Sequence, residues 1–296
     1  MVPTPDKSNI CAVVVTYHPD NNFPQRVKSL SAQVDVVLIV DNASDLDQKK
    51  MIESIASQID AEVVWNNDNL GVAAALNTGY NWASKRGYDW LLTMDQDTTL
   101  LDSAIESYKK AFTSFPDLKI CMIGSNMKDP LTREPYIEAD VFANKDALEV
   151  KTLITSGTLV SIEAAKTIGM YSERYYIDYL DAEFSLRARK NGFSNLITKE
   201  FLIEHTIGAP RYHKFLSRRL ITSHHPSSRR YYLSRNYIFL IKDFWREEPK
   251  WLFDLGVIKT KEVILFLMFE EKRVDKLWKT ILGAFDGIVG RAGKRY

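Results

Sequence analysis

The first hundred residues alternate between short apolar runs rich in β-branched residues and longer segments with helical periodicity. Uninterrupted apolar runs of this kind are typical of strands buried on both faces, as in a parallel sheet. Because parallel strands need a crossover connection, the alternation predicts βαβ units and an α/β fold. The predicted strands cover residues 10–16, 34–41, 61–65 and 88–94, and the predicted helices cover 23–33, 46–58 and 71–86.

The rest of the chain departs from this rhythm after one more helix, at 102–115, and one more strand, at 120–126. A turn-rich stretch at 129–135 leads into a segment without a clear period. The pattern then predicts a strand at 156–162, a short helix ending near Gly169, a helix at 181–191 and a strand at 194–205. From Ser227 onward the pattern is mostly helical, and we expect breaks at these residues: Pro249, Gly283, Gly287, Gly290 and Gly293.

Composition excludes several classes of protein. The 296 residues allow one large α/β domain with an appendage, or two modest domains. The polar, proline-broken start does not resemble a signal peptide, and the longest apolar run, 263–269, is far shorter than a membrane span of about 20 residues. Cys11 and Cys121 both lie in apolar strand-like runs, so we expect buried thiols in a reducing compartment, with no disulfide or zinc site.

Charge is unevenly distributed along the chain, although the net charge is only +1. Residues 211–251 contain ten Lys or Arg and three Asp or Glu, which leaves the remainder acidic. A basic segment on such a body indicates an anionic partner: nucleic acid, acidic lipid or a diphosphate. Arg229, Arg230 and Tyr232 lie in this segment, and arginine side chains suit phosphate oxygens. No nucleic-acid-binding motif accompanies them, so we do not expect nucleic acid as a partner.

Two carboxylates, Asp95 and Asp97, follow the fourth predicted strand directly. Ligands of open α/β sheets bind outside the carboxyl ends of the strands. A hard divalent cation is commonly held there by one or two carboxylates and by substrate phosphates. The pair therefore predicts a metal–diphosphate site, with an acidic turn as the structural alternative.

The ends of the other predicted strands also carry polar residues. Thr16 and Tyr17 follow the first strand, Asp41 follows the second, and Asn69 precedes a helix that begins near Gly71. A carboxylate at the end of the second strand is placed to bind a base or a ribose hydroxyl, although it equally suits a helix N-cap. The absence of a G-x-G-x-x-G motif after the first strand argues against a dinucleotide cofactor.

In their order and spacing, these segments resemble glycosyltransferase family 2, whose members are inverting enzymes with the GT-A fold. The resemblance is carried by the following segments: 14–17, 40–44, 69–79, 94–97, 156–158 and 181–192. The Met-Asp-Gln-Asp run at 94–97, together with 205–208 and 229–236, is similar to bacterial rhamnosyltransferases that assemble surface polysaccharides such as O-antigen or cell-wall polymers.

The resemblance implies an α/β fold of GT-A type, a Rossmann-like, mostly parallel sheet flanked by helices, with a helical C-terminal extension. A catalytic domain would cover residues 1–210, with the nucleotide-sugar site in about 10–127 and the acceptor side in about 128–210. Residues 211–296 would form a mainly helical region. Its amphipathic basic helices suit a membrane surface, a second subunit or a cap on the catalytic core.

The resemblance also implies roles for individual residues. The nucleoside would be bound by Thr16, Tyr17, Asp41 and Asn69, with Gln96 also on the donor side. Mg²⁺ or Mn²⁺ would be held by Asp95, Asp97 and His205. Asp181 would be the general base. Arg229, Arg230 and Tyr232 would bind the diphosphate of either the donor or the acceptor, and Ser156, Gly157 and Glu183 would lie on the acceptor side.

The implied reaction is inverting transfer of L-rhamnose from dTDP-β-L-rhamnose to a saccharide hydroxyl. The implied acceptor is linked to polyprenyl diphosphate, which would place a cytoplasmic enzyme at the inner face of the plasma membrane. The alternatives are another donor, such as a UDP-hexose or UDP-galactofuranose, and a non-catalytic nucleotide-sugar-binding scaffold. Many relatives carry a Glu-Asp pair at the base, whereas Leu180 precedes Asp181 here, which makes Glu183 a rival base.

Overall fold

The computed structural model describes residues 2–128, 134–205, 211–215 and 218–296. For residues 205, 211–215, 218 and 219 it describes the backbone alone. The chain divides into two compact units. The first comprises Met1–Ser172 and Asp181–Thr206, and the second comprises Glu173–Leu180 and Ile207–Tyr296.

The first unit contains ten of the described strands and six of the described α-helices. The strands are β1 (Ile10–Thr16), β2 (Val36–Asp41), β3 (Glu62–Trp65), β4 (Trp90–Asp95), β5 (Thr98–Leu100), β6 (Ile120–Asn126), β7 (Ala147–Val150), β8 (Thr158–Ser161), β9 (Ser194–Phe201) and β10 (Ile203–His205). The helices are α1 (Phe23–Ser31), α2 (Leu46–Ile59), α3 (Val72–Lys85), α4 (Ala104–Thr113), α5 (Ile162–Ile168) and α6 (Leu180–Lys190). Short 3₁₀ helices cover Lys7–Asn9 and Ala139–Phe142.

The main sheet has eight strands in the order β3-β2-β1-β4-β8-β6-β9-β7. The strands β1 to β4, β6 and β9 run in one direction, while β8 runs antiparallel to β4 and β6, and β7 runs antiparallel to β9. The prediction of a mostly parallel sheet flanked by helices is confirmed. The apolar runs of β1, β2, β4 and β6 are almost wholly buried, as expected for central strands covered on both faces.

The single strand predicted over residues 194–205 is divided in two. Leu202 separates β9 from β10, and its backbone is bound by Ser125, whose Oγ accepts from the Leu202 N–H at 2.7 Å. The Leu202 carbonyl accepts from the N–H of Leu101 at 2.8 Å. As a result β10 leaves the main sheet and pairs antiparallel with β5, the strand that follows the acidic turn.

The second unit contains a two-stranded sheet of β11 (Arg211–Phe215) and β12 (Arg218–Thr222), followed by α7 (Ser227–Phe244), α8 (Pro249–Phe269) and α9 (Arg273–Val289). Pro249 is at the first turn of α8, where the missing N–H costs no hydrogen bond. Of the helices in the described part of the chain, none has both the length and the apolar character needed to cross a membrane.

The predicted breaks at Gly283 and Gly287 are wrong, since α9 continues through both and ends at Gly290. A methyl group at Gly283 would collide with the backbone carbonyl of Tyr231 in α7, and one at Gly287 would lie 2.8 Å from the Arg235 carbonyl oxygen. These glycines therefore allow two helix backbones to approach closely, which outweighs the roughly 1 kcal/mol penalty of glycine in a helix.

Candidate active site

The acidic turn lies at the carboxyl edge of the sheet, between β4 and β5. Asp95 is the last residue of β4, and Gln96 and Asp97 form the turn. Ser156 joins the two sides of this turn: its Oγ accepts from the Asp95 N–H at 3.1 Å and donates to Oγ1 of Thr98 at 2.7 Å. The turn is thus held open by a side chain from the segment before β8.

The strand register brings the candidate donor-binding residues to the same edge. Strand β1 lies between β2 and β4 and pairs Thr16 with Asp41 and Val15 with Asp95. Parallel neighbours end together, so the polar residues that follow each strand share one edge of the sheet. This adjacency joins sequence segments that are 25 and 80 residues apart.

Gln96 connects the acidic turn to the loop after β1. Its Oε1 accepts from the N–H of Tyr17 at 2.7 Å, and its Nε2 donates to the Tyr17 carbonyl at 3.1 Å. Nε of Arg26 donates to the Gln96 carbonyl at 2.9 Å. These bonds hold Tyr17, whose side chain is 47% exposed, beside the turn.

Asp41 is enclosed and its carboxylate is bound by neutral donors. It accepts from the Thr16 hydroxyl at 2.9 Å, from the Ser44 hydroxyl at 2.5 Å and from the Ser44 N–H at 2.9 Å. The side chains of Asp41 and Thr16 are fully buried. A carboxylate in this position fixes the loop between β2 and α2 and orients two hydroxyl groups.

A chain of amides connects this loop to the start of α3. The Asn66 side chain donates to the Asn42 side chain at 2.9 Å, and Asn42 donates to the Gly71 carbonyl at 3.3 Å. The Asn69 side chain accepts from the Gly71 N–H at 3.0 Å, just before α3 begins. Asn42 and Asn66 were not among the candidate residues from the sequence, although both lie in the same motifs as Asp41 and Asn69.

Tyr171 is a buried tyrosine between α5 and α6. Burial raises the pKa of its hydroxyl far above the ordinary value; interactions with Cys121, Asp181 and Asp95 raise it further, and a hydrogen bond with Thr93 lowers it. No local pattern marks Tyr171, because its neighbours come from distant segments.

Glu183, the rival base, is already paired. Its two carboxylate oxygens accept from Nε and Nη2 of Arg187 at 2.7 and 3.1 Å, and Glu183 is only 5% exposed. The Arg187 guanidinium also donates to the carbonyls of residues 168, 169 and 170. The pair therefore attaches α6 to the end of α5, which is a structural task.

Gly157 adopts a backbone conformation with φ +66°, which side chains disfavour. A methyl group there would also collide with Ile203. The Gly157 N–H donates to the Thr93 carbonyl at 2.8 Å, and its carbonyl accepts from the Tyr108 hydroxyl at 2.6 Å. The Ser156–Gly157 segment is thus fixed between β4 and α4.

His205, the third candidate metal ligand, is placed by its backbone. It pairs with Thr98, the residue after Asp97, in the ladder of β10 and β5. The structure describes only the backbone of His205, not its side chain. The adjoining motif residues 206–208 lie outside the described residues.

In the second unit, Arg229 forms an ion pair with Asp178. Its guanidinium donates to both oxygens of the Asp178 carboxylate, with a shortest distance of 2.8 Å. Asp178 and Tyr179 have φ values of 64° and 63°, which is costly for residues other than glycine. The buried Asn236 amide donates to the carbonyls of Ile177 and Asp178 at 2.7 and 3.0 Å, so α7 holds this strained backbone in place.

Arg230 and Tyr232 make contacts within the second unit. Arg230 is 5% exposed and lies 3.3 Å from carboxylate oxygens of both Glu262 and Glu270. The Tyr232 hydroxyl accepts from the N–H groups of the last two residues of the chain, at 2.9 and 3.1 Å. The side chain of Arg229, by comparison, is 41% exposed.

Two carboxylates at a strand end form a donor set that fits Mg²⁺ or Mn²⁺ bound together with a diphosphate. Water molecules and substrate phosphates commonly supply the remaining ligands of such ions. Among the described residues there is no group of three or more His, Cys, Asp or Glu able to hold a metal alone. Asp95 and Asp97 are thus a two-carboxylate donor set, and the side chain of the third candidate, His205, is not described. The buried thiols of Cys11 and Cys121 are free, as predicted.

Comparison with known proteins identifies the family. Residues 11–164, just over half of the chain, match the model of glycosyl transferase family 2. The chain belongs to glycosyl transferase family 2. The match begins in β1 and extends through Asp95, Asp97 and Ser156, so the family's characteristic region contains the sheet edge described above.

Individual known proteins are similar to the chain in sequence or in fold. The chain is 28% identical to the dTDP-rhamnosyl transferase RfbF of Shigella flexneri, over 97% of both chains. Its fold is similar to S. aureus TarS 1-349 in complex with UDP-GlcNAc, with a TM-score of 0.57 at 16% identity over 95% of this chain and 80% of that one. It is also similar to the mannosyltransferase PcManGT of Pyrobaculum calidifontis in complex with GDP-Man and Mn²⁺, with a TM-score of 0.55 at 13% identity over 97% and 90%. The GT-A fold expected from the sequence is confirmed.

Proposed function

We propose that this glycosyltransferase moves L-rhamnose from dTDP-β-L-rhamnose to a hydroxyl of a saccharide linked to polyprenyl diphosphate, in bacterial surface-polysaccharide biosynthesis at the cytoplasmic face of the membrane. The similarity to RfbF over nearly the whole length of both chains supports rhamnose as the sugar. The observation that carries the transfer chemistry is the assembly of Thr16, Asp41 and Asp95 at one edge of the sheet, with Asp97 in the turn that follows.

Asp181 is the general base in this proposal. It takes the proton of the acceptor hydroxyl while that oxygen forms a bond to the anomeric carbon and the bond to the dTDP oxygen breaks, which inverts β to α. The alternative base, Glu183, is buried and paired with Arg187, so its carboxylate is less accessible to a substrate hydroxyl. Asp181 lies in the first turn of α6, where the helix dipole favours negative charge.

Asp95 and Asp97 would hold Mg²⁺ or Mn²⁺ against the donor diphosphate, with His205 as a further ligand. When bound, the ion neutralises charge on the departing diphosphate. Gln96 contributes by holding Tyr17 beside the turn, and Ser156 contributes by fixing the turn itself. Gly157 would support the acceptor side, where its fixed backbone adjoins Ser156.

The nucleoside would lie at the edge formed by β1, β2 and the start of α3. Tyr17 is exposed enough to contact it directly, whereas Asp41 is enclosed and would act through the Thr16 and Ser44 groups that it orients. Asn69 would act from the turn before α3. Diphosphate binding is proposed for Arg229, Arg230 and Tyr232. Arg229 is the strongest candidate of the three because its side chain is the exposed one.

These roles divide the chain into a donor-binding region, an acceptor-binding region and a supporting region. Residues 10–127 would bind the donor, residues 128–210 would bind the acceptor, and residues 211–296 would serve mainly in support and in interactions. A thermal-shift screen tests the donor: dTDP-rhamnose with Mn²⁺ should raise the melting temperature more than UDP-glucose, UDP-N-acetylglucosamine or UDP-galactofuranose.

The product test is transfer to a lipid-linked saccharide, followed by NMR of the new linkage, which should be an α-rhamnoside. Preference for a UDP-sugar in both assays would replace rhamnose with another donor. Donor binding without turnover on any lipid-linked acceptor would favour a nucleotide-sugar-binding scaffold.

A further inference from the structure

Helix α9 exposes a continuous apolar stripe. It consists of Val274, Trp278, Ile281, Phe285 and Ile288, which are 53–79% exposed. Their spacing of four and three residues places them along one side of the helix over about 21 Å, since a helix rises about 1.5 Å per residue. The opposite side, with Gly283 and Gly287, packs on α7. We call these five residues the α9 stripe.

Helix α8 carries a second exposed row of large apolar residues. Phe253, Val257, Ile264 and Met268 follow a compatible spacing and are 39–71% exposed, while Leu252 and Phe266 on the other side are buried. Single exposed apolar residues are normal on a protein surface, but the continuous stripe of α9 marks an interaction surface, to which the exposed residues of α8 add apolar area.

Charged residues lie mainly at the two ends of the α9 stripe and are scarce along its length. From residue 277 to residue 290 the only carboxylate is Asp286, which is buried and bound by the Tyr231 hydroxyl, Arg291 and Arg295. Lys272 and Arg273 precede the helix or begin it, and three further basic residues follow it. Residues 271–296 contain seven Lys or Arg and three Asp or Glu; basic residues lie at both ends of the stripe, and they outnumber acidic ones most clearly after Gly290.

A second copy of the chain fits this pattern less well than a lipid surface. The spacing of the stripe would suit a coiled coil, but the positions that flank such a seam normally carry charges that set the pairing. Here those positions are Asp275, Leu277, Leu282, Ala284 and Val289, of which only the first is charged. A helix that is apolar across this width, contains an exposed Trp and has basic ends is typical of one that lies in a membrane interface.

We propose that the outer face of α9, together with the exposed row of α8, docks on a membrane surface that carries anionic headgroups. The apolar stripe enters the boundary between headgroups and acyl chains, and the basic residues at the helix ends contact lipid phosphates. This inference rests on the proposed function, which places the enzyme at a membrane, and adds the surface and the lipid chemistry of that contact; its test requires no donor, metal or acceptor.

Vesicle co-sedimentation of the full chain tests the proposal. The protein should pellet with phosphatidylcholine vesicles that contain about 30% phosphatidylglycerol, and binding should weaken in about 0.5 M sodium chloride because salt screens the headgroup contacts. The double variant Ile281→Asp/Phe285→Asp should bind at least about tenfold more weakly, since each substitution replaces apolar contact with a charge.

The matched control is Leu46→Asp/Val141→Asp, which makes two equivalent changes at exposed positions of the first unit, 75% and 57% exposed. It should bind vesicles like the parent chain, and the melting temperatures of both variants should show that they are folded. The proposal is overturned if the parent chain does not pellet with these vesicles, or if Ile281→Asp/Phe285→Asp binds unchanged. Light scattering that shows a dimer lost in that variant would instead assign the face to a second copy. Donor binding by thermal shift is measured separately, so these results do not depend on the proposed reaction.

Discussion

Buried carboxylates are held differently at the sheet edge of the first unit and between the helices of the second. At the sheet edge of the first unit, Asp41 is bound by hydroxyl and backbone N–H groups. In the second unit, Asp286 and Glu270 are buried against arginine and lysine side chains. Neutral donors orient a carboxylate without cancelling its charge, whereas a cation neutralises it. The comparison indicates that the sheet edge of the first unit retains negative potential for a ligand, whereas the buried carboxylates of the second unit form ion pairs that hold its helices together.

The largest expected effect comes from Asp181→Asn. Loss of the base should lower kcat about a thousandfold, while donor affinity measured by thermal shift stays nearly unchanged. The comparison variant is Glu183→Gln, which should lower the melting temperature by removing the buried pair with Arg187 and should change kcat far less. If Glu183→Gln abolished turnover in a folded protein and Asp181→Asn did not, the base would be Glu183.

The next effect tests whether the edge of the first unit binds a metal. Asp97→Ala should reduce the apparent affinity for Mn²⁺ in the transfer assay on the order of a hundredfold, since a cation ligand is lost. The control Asp102→Ala removes an exposed carboxylate five residues away and should leave the titration unchanged. An unaltered Mn²⁺ titration for Asp97→Ala would remove this residue from the metal site.

A smaller effect concerns the packing of the second unit. Gly283→Ala should destabilise the protein by about 1–3 kcal/mol, because the added methyl meets the Tyr231 backbone. Ala284→Gly, at the next position of the same helix, should cost only about 0.5–1 kcal/mol through chain entropy. Denaturant unfolding followed by circular dichroism compares the two variants. A stabilising Gly283→Ala would show that α7 and α9 do not approach closely.

The smallest effect is a pH dependence in the second unit. Burial opposes ionisation of Glu270, but the hydrogen bond from Lys276 and the charge of Arg230 prevail and lower the pKa of its carboxyl. A lowered pKa stabilises the fold above the unfolded value of about 4.3, and this contribution is lost as pH falls through the folded value. The melting temperature of the parent chain should therefore exceed that of Glu270→Gln near neutral pH, and the difference should shrink in acid. A constant difference would contradict the role of the ionised form.

Much of the first unit could be predicted because its signals are local. The apolar runs of β1, β2 and β4 and the helical periods of α1 to α4 are properties of contiguous segments, and their boundaries agree with the structure within a few residues. The order of polar motifs at the strand ends then follows, because parallel strands bring those ends to one edge. The direction of β7 and β8 could not be predicted, since it depends on which distant strands they pair with.

The second unit shows what local patterns miss. Gly283 and Gly287 predict breaks by their conformational freedom, yet they mark a close helix contact whose other side lies about 50 residues earlier. Tyr171 and Asn236 carry no local signal either, because their importance comes from Asp95 and Asp181 in one case and from the backbone at Ile177 and Asp178 in the other.

The sequence by itself therefore determined the α/β class and the edge at which Thr16, Asp41 and Asp95 assemble, since both depend on periodicity or on short motifs; the base on α6 stays a prediction from the family resemblance. The tertiary structure decided which carboxylates are committed to internal pairs, such as Glu183 with Arg187, and which apolar residues of α8 and α9 stay exposed. The physical reason is that pairing and burial depend on groups brought together across the chain, and the free energy of a charge or an apolar side chain is set by its neighbours in space.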